Sequence, residues 1–338
     1  MNKNEIAKLH YDKNAKGLFF NLLKFSSVFY AMGCEFKNFL YDHKILKPKK
    51  VDAYVISIGN LTTGGVGKTP VVAEFANFFK KDKNVAIVSR GYGSKKKGIV
   101  SDGKEILLKC EDAGDEPFWL AQNTNAVIIT SPVRYLGAKQ AVEDYNSQII
   151  IADDCFQHRK FYRDLDIVLI DSEKKFGNNC LLPAGPLREC IRNIKRADKI
   201  IVISKNIDHT EAYDYIKTLE QKFNKKTYLC KVEPDICYNI FDEKELLNKK
   251  EKVVAFSGIG QPEQFYKFLK EYDVVKTLDF DDHHAYTQED VKVLEELNLP
   301  LITTEKDAVK CKTLKFNKKV FALKLKTHLN FEEILKND

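Results

Sequence analysis

The stretch Val55 to Pro70, VISIGNLTTGGVGKTP, narrows the possible folds more than any other part of the chain. An apolar run (Val55, Ile56, Ile58) breaks at Gly59 into a turn containing Thr63, Gly64, Gly65, Val66 and Gly67, then Lys68, Thr69 and Pro70. The following VVAEFANFF has the apolar spacing of a helix. Strand, glycine-rich loop, Lys-Thr and helix together describe a phosphate loop. Glycines let successive backbone N–H groups curl around phosphate oxygens, and the helix N-terminus adds partial positive charge. In that reading Lys68 reaches the β- and γ-phosphates of a nucleotide and the Thr69 hydroxyl binds Mg²⁺. The common pattern has glycine where this chain has Thr62. A glycine-rich turn without a nucleotide is the bland alternative.

Residues 51 to about 232 alternate strand and helix patterns, which argues for a parallel sheet covered on both faces. The expected strands are Ala53–Ile58, Asn84–Ser89, Ala126–Thr130, Gln148–Ala152, Ile167–Ile170, Lys199–Ile203 and Thr227–Val232. Ligands of such sheets sit at the C-terminal strand ends, so the loops there carry the chemistry. SRGYG places Tyr92 between two glycines, and Arg134 follows the third strand as a candidate phosphate clamp. GDEP offers Asp115 and Glu116 before a helix, either as an N-cap or as a base and a metal ligand. The fourth strand ends in Asp153 and Asp154, a Walker B arrangement that brings acid to Mg²⁺, and Gln157 and His158 follow. LLPAGPLRE is an irregular loop presenting Arg188 and Glu189. After a pause near residue 235 a second α/β unit begins at Glu251, and one of its loops reads DDHHAYT, Asp281 to Thr287. Thr287 and Asp290 fit a helix cap there, and the histidines fit either a polar capping loop or a functional site.

The net charge of +7 is spread along the chain, too diffuse to argue for nucleic acid but compatible with anionic ligands or lipid. No secretory signal or metal-type cysteine spacing is evident, so the eight cysteines read as reduced thiols of a cytosolic protein. Gly17 to Tyr41 is crowded with aromatic and aliphatic residues, yet lysines and Glu35 interrupt it before the ~20 residues a membrane span needs. It reads as an interfacial amphipathic helix, as a helix packed on the body of the protein, or as both.

Taken in order, GGVGKTP, SRGYG, GDEP, DDxxQH, LLPAGPLRE, GIGQPExF, DHHAYT and TTEKDAVK closely resemble the tetraacyldisaccharide 4′-kinase family, over about residues 15 to 325. The resemblance implies a P-loop NTPase-like α/β/α sandwich and a second, smaller α/β domain joined by a two-stranded linker near Lys226–Val232 and Lys319–Leu325. It implies residues 1–48 as a membrane-associating helical segment, 49–232 as the kinase domain and 233–338 as the smaller domain. The implied reaction moves the γ-phosphate of ATP to the 4′-hydroxyl of tetraacyldisaccharide 1-phosphate, with Mg²⁺, at the cytoplasmic face of the inner membrane. The implied partners are the lipid A disaccharide 1-phosphate and the membrane surface, with no nucleic acid and no obligate protein partner. By position, Asp115 and His283 match the catalytic pair, and Thr69, Glu116, Asp153 and Asp154 the Mg²⁺ shell. Asn60, Tyr92, Arg134, Gln157, His158, Arg188, Glu189 and Asp282 fall in the substrate-positioning set. The second domain is expected to close so that His283 meets Asp115. Two other classes are weighed. A partitioning-type switch ATPase has a similar GGVGKT loop but carries lysine where this chain has Thr63. A membrane scaffold with a vestigial nucleotide site would not need Lys68, Thr69, Asp115, Asp153 and His283 together.

Overall fold

Runs of isoleucine and valine bounded by charged turns dictate strands buried on both faces. The computed structural model describes residues 3–206, 208–260, 262–281 and 284–336. In chain order the first half holds α1 (Lys3–Tyr11), α2 (Leu18–Asp42), β1 (Tyr54–Asn60), α3 (Lys68–Lys80), β2 (Val85–Ser89) and β3 (Gly98–Asp102). There follow α4 (Cys110–Ala113), α5 (Asp115–Asn123), β4 (Val127–Thr130), α6 (Arg134–Tyr145), β5 (Ile149–Asp153), β6 (Leu165–Asp171), β7 (Lys199–Ser204), α7 (Thr210–Phe223) and β8 (Thr227–Asn239). The second half adds β9 (Lys252–Ser257), α8 (Pro262–Phe268), β10 (Asp273–Asp279), α9 (Gln288–Leu294), β11 (Leu301–Thr304), α10 (Glu305–Cys311), β12 (Val320–His328) and α11 (Phe331–Ile334).

Among the described residues the twelve strands form one sheet in the order β10-β9-β11-β12-β8-β7-β6-β1-β5-β2-β4-β3. Every pair is parallel except β8 with β12 and the edge strand β3 with β4. Two parallel sheets therefore meet at one antiparallel pair, which lies further along β8 than the linker strand implied near Lys226–Val232, because residues 227–231 pair with β7. β8 is longer than the expected Thr227–Val232: its first residues pair with β7, and from Lys231 onward it pairs with β12 up to Asn239. The expected pause near residue 235 is thus corrected. Pro234 stands opposite Leu325, where the register of β12 shifts, and such an irregularity is where a strand tolerates proline. β3 was not among the expected strands.

β5 and β6 are buried along their whole length, and β1 beyond its first residue. One apolar layer runs from Val71 and Phe75 of α3 to Phe265 of α8 and Ile334 of α11. The chain returns to the first half at its end: Phe331 stacks on Phe78 at 4.4 Å between ring centroids. All eight cysteines are free thiols.

Among the described residues no helix is long and apolar enough to cross a membrane. α2 is nonetheless amphipathic in an inverted sense. Leu18, Phe19, Leu22, Phe25, Val28, Phe29, Met32, Phe36 and Phe39 are exposed, and they recur every three or four residues, which puts them on one face. The opposite face is polar and docks on the LLPAGPLRE loop. Ser27 Oγ donates to the Leu181 carbonyl at 2.9 Å and Tyr30 OH to the Arg188 carbonyl at 2.9 Å. Glu35 bonds Arg192 and Asn193, and Arg159 bonds Asn38 and Asp42. The expectation of a helix packed on the body of the protein holds, through its polar side, and its apolar side is left uncovered.

Candidate active site

β1 delivers the phosphate loop at the middle of the sheet, between β5 and β6. Gly59 lets the strand end run against the Walker B loop, because a Cβ there would lie 2.7 Å from Phe156 Cβ. Gly67 takes φ 97°, in the left-handed region that favours glycine, and caps α3 without a side-chain bond. The first N–H groups of α3 are thus left for a ligand. Val66 is buried, Thr69 and Pro70 are half-buried, and Gly64 and Gly65 are exposed. Thr63 is tied down at both ends, its N–H donating to the Pro186 carbonyl and its carbonyl accepting from Tyr11 OH.

Asn60 is the hub. It is fully buried, and its Oδ1 accepts from Lys68 Nζ at 3.0 Å and from Arg188 Nη2 at 3.1 Å. Arg188 also donates to both oxygens of Asp154 at 2.9 Å, and Lys68 Nζ lies 3.5 Å from Asp154. Burial pushes the Asp154 carboxyl up, but Lys68 and Arg188 outweigh it and hold it down at about 2. Asp153 is the reverse. It is buried, its Oδ1 has no hydrogen-bond partner among the described residues, and burial, reinforced by Glu116 and Asp154 against Lys68, lifts its pKa to about 7. A buried carboxylate oxygen without a donor is suited to a cation. Glu116, exposed, is close enough to act on Asp153 electrostatically. Among the described residues no three acidic, histidine or cysteine side chains form a ready-made metal cage.

Arg134 does not reach toward a phosphate. It is 2 % exposed, and it donates to the Asp153 carbonyl at 3.3 Å and the Ser131 carbonyl at 3.0 Å. Its place is behind the Walker B strand, which it braces, and the phosphate-clamp expectation is corrected accordingly. Glu189 does not face water either. Buried, it accepts from Arg196 at 2.8 Å, Asn193 at 3.0 Å, Gln157 at 3.0 Å and Asn38 at 3.4 Å. Gln157 also donates to the Asn60 carbonyl at 2.9 Å, so these residues connect α2 to the phosphate loop. Burial, with Arg134 nearby, brings the His158 pKa down to about 4, so the ring is neutral near pH 7. Tyr92 is exposed at the rim.

In GDEP the N-cap is Gly114, not Asp115. Asp115 is the first helical residue and its carboxylate is not spent on capping. It meets the second half of the molecule, with Lys310 Nζ of α10 3.1 Å from its Oδ2. His283 and Asp282 lie outside the described residues. His284 is committed elsewhere, its Nε2 lying 3.1 Å from Asp290 Oδ2. Asp290 and Thr287 form the capping box expected for α9.

Sequence reasoning gave no role to Lys310, although it ends the quoted TTEKDAVK motif. Lys205 was not singled out at all. It follows β7, bonds Asp171 and Gln264 at 3.1 Å, and lies beside Gly67. Its position at a C-terminal strand end was the available signal.

The Tetraacyldisaccharide-1-P 4′-kinase family model matches residues 19–338. A tetraacyldisaccharide 4′-kinase of Aquifex aeolicus is 38% identical over 324 residues, covering 94% of this chain and 96% of its own. One from Halothermothrix orenii is 37% identical over 302 residues, 81% of this chain and 78% of its own. The solved structure of the "apo" form of LpxK from Aquifex aeolicus in complex with ATP superposes with a TM-score of 0.78 at 35% identity, covering 94% of this chain and 97% of that one. This chain belongs to the tetraacyldisaccharide-1-phosphate 4′-kinase family.

Proposed function

We propose that the protein transfers the γ-phosphate of ATP to the 4′-hydroxyl of tetraacyldisaccharide 1-phosphate, yielding lipid IVA, while attached to the cytoplasmic face of the inner membrane. One observation carries this reading: the loop that donates Arg188 to the phosphate-loop cluster also carries α2 with its apolar face outward. A site for phosphate and a surface for acyl chains are thus built on one loop. Family membership supports the same acceptor.

Lys68 and the N–H groups of the glycine turn hold the phosphates. Arg188, kept straight by Asn60 and Asp154, supplies further positive charge where phosphoryl transfer needs it. Asp115 takes the proton of the attacking hydroxyl, and His283 orients it and takes up charge. Thr69, Asp153 and Glu116 would hold Mg²⁺, which neutralises charge on the β- and γ-phosphates when bound. Asp154 stays with Lys68 and Arg188 as their counter-charge. Tyr92, Gln157, His158 and Glu189 shape or brace the cleft, and residues 49–232 and 233–338 act as two lobes about the β8–β12 pair. α2 gives reversible attachment to the bilayer through its exposed aromatic face.

Labelled ATP, Mg²⁺ and tetraacyldisaccharide 1-phosphate in detergent test the reading. Label should enter the lipid fraction and be lost in Lys68→Ala. Label that never enters the lipid, with a folded ATP-binding protein, sinks it.

A further inference from the structure

The TTEKDAVK segment, residues 303–310, forms the end of β11 and most of α10. Its chemistry begins with Asp307, which is fully buried. Asp307 Oδ2 accepts from Thr304 Oγ1 at 2.8 Å and from the Gly258 N–H at 3.0 Å, so α10 is fixed to the turn after β9. One turn further on stands Lys310. Its ammonium is 3.1 Å from Asp115 Oδ2, 3.8 Å from Asp307 Oδ1, and donates to the His284 carbonyl at 3.1 Å. The Lys310 and Asp115 side chains are only 11% and 17% exposed.

An ammonium has three N–H donors and no acceptor. Here oxygens from its own helix and from two other segments surround it: Asp307 on α10, Asp115 on α5 of the first half, and the His284 carbonyl of the loop before α9. We propose that Lys310 is a positioning residue for phosphoryl transfer, the common anchor that sets Asp115 and the histidine loop in register with each other. This deepens the reading given above and rests on Asp115 acting as the base. A cation so close makes a carboxylate a weaker base, so the benefit lies in placement. With its carboxylate held by Lys310, Asp115 has fewer rotamers to lose when the acceptor hydroxyl arrives. The same contact joins the two halves of the molecule away from the β8–β12 pair, so the placement of the halves and the alignment of the base are linked.

The test compares Lys310→Met and Lys310→Arg in the full-length protein, each alone and combined with Asp115→Asn. Turnover at saturating ATP and lipid, ATP affinity and the thermal midpoint are measured for all. Lys310→Met should lower turnover by about 10–100-fold, the usual effect of removing a group that orients another. ATP affinity should be unchanged, and Lys310→Arg should recover most of the loss. In the Asp115→Asn background Lys310→Met should add little further loss, because the two act as a unit. Lys310→Gln replaces Lys310→Met if that variant does not fold. Wild-type turnover in a folded neutral variant, or an equal loss in both backgrounds, overturns the inference. A fully active Asp115→Asn enzyme sinks the assignment of Asp115 instead, and this inference with it.

Discussion

Asp153 and Asp154 are neighbours in sequence and opposites in environment. Asp154 sits between two cations and is held ionised, whereas Asp153 is buried with an open oxygen and a pKa near 7. An acid whose folded pKa is raised binds its proton more tightly in the folded state. Its ionisation therefore costs stability progressively as pH rises from the ordinary carboxylate range through about 7. In Mg²⁺-free buffer, Asp153→Asn should remove part of the fall in thermal midpoint between about pH 5 and 8. A variant and wild type that run parallel across that window would contradict the assignment of the open oxygen. The residues of this site were legible where a local pattern carries them: Lys68 and Thr69 in a turn, two acids at a strand end. The partnership of Asn60 with Arg188, 128 residues apart, has no local signature. Nor has the burial that turns Arg134 from a clamp into a brace. Both depend on which strands become neighbours.

Among the elements, α2 carries the most new information. Its aromatic content marked a helix and suggested an interface, but not which face docks. Ser27, Tyr30, Cys34 and Asn38 make the polar contacts to the body, while the phenylalanines at 25, 29, 36 and 39 remain exposed. Fully burying one such side chain contributes about 1.5–3 kcal/mol. Phe25→Glu with Phe29→Glu should thus weaken co-sedimentation with anionic vesicles by more than about tenfold. ATP binding should survive, since neither residue touches the site. Undiminished sedimentation would show that the apolar face is not the attachment surface. Deleting the helix is a poorer test, because it also strips the polar contacts behind Arg188. β8 teaches the complementary lesson. Pro234 lies inside one long strand, beyond the expected end at Val232, where a register shift in β12 accommodates it.

At the scale of the whole molecule, two parallel sheets share one antiparallel seam, and side chains also join the two halves at Lys310 to Asp115 and Lys205 to Gln264. Alternating strands and helices made the parallel architecture readable in advance. The fusion into a single twelve-stranded sheet was not readable, because it depends on β8 pairing with different strands at its two ends. We propose that this arrangement couples ATP consumption to a lipid hydroxyl. The most direct measurement follows ADP and phosphorylated lipid together, with and without tetraacyldisaccharide 1-phosphate. ADP and lipid product should form in equal amounts, with almost no ADP when the lipid is left out. ADP formed at the same rate without lipid would contradict it and point to a nucleotide switch.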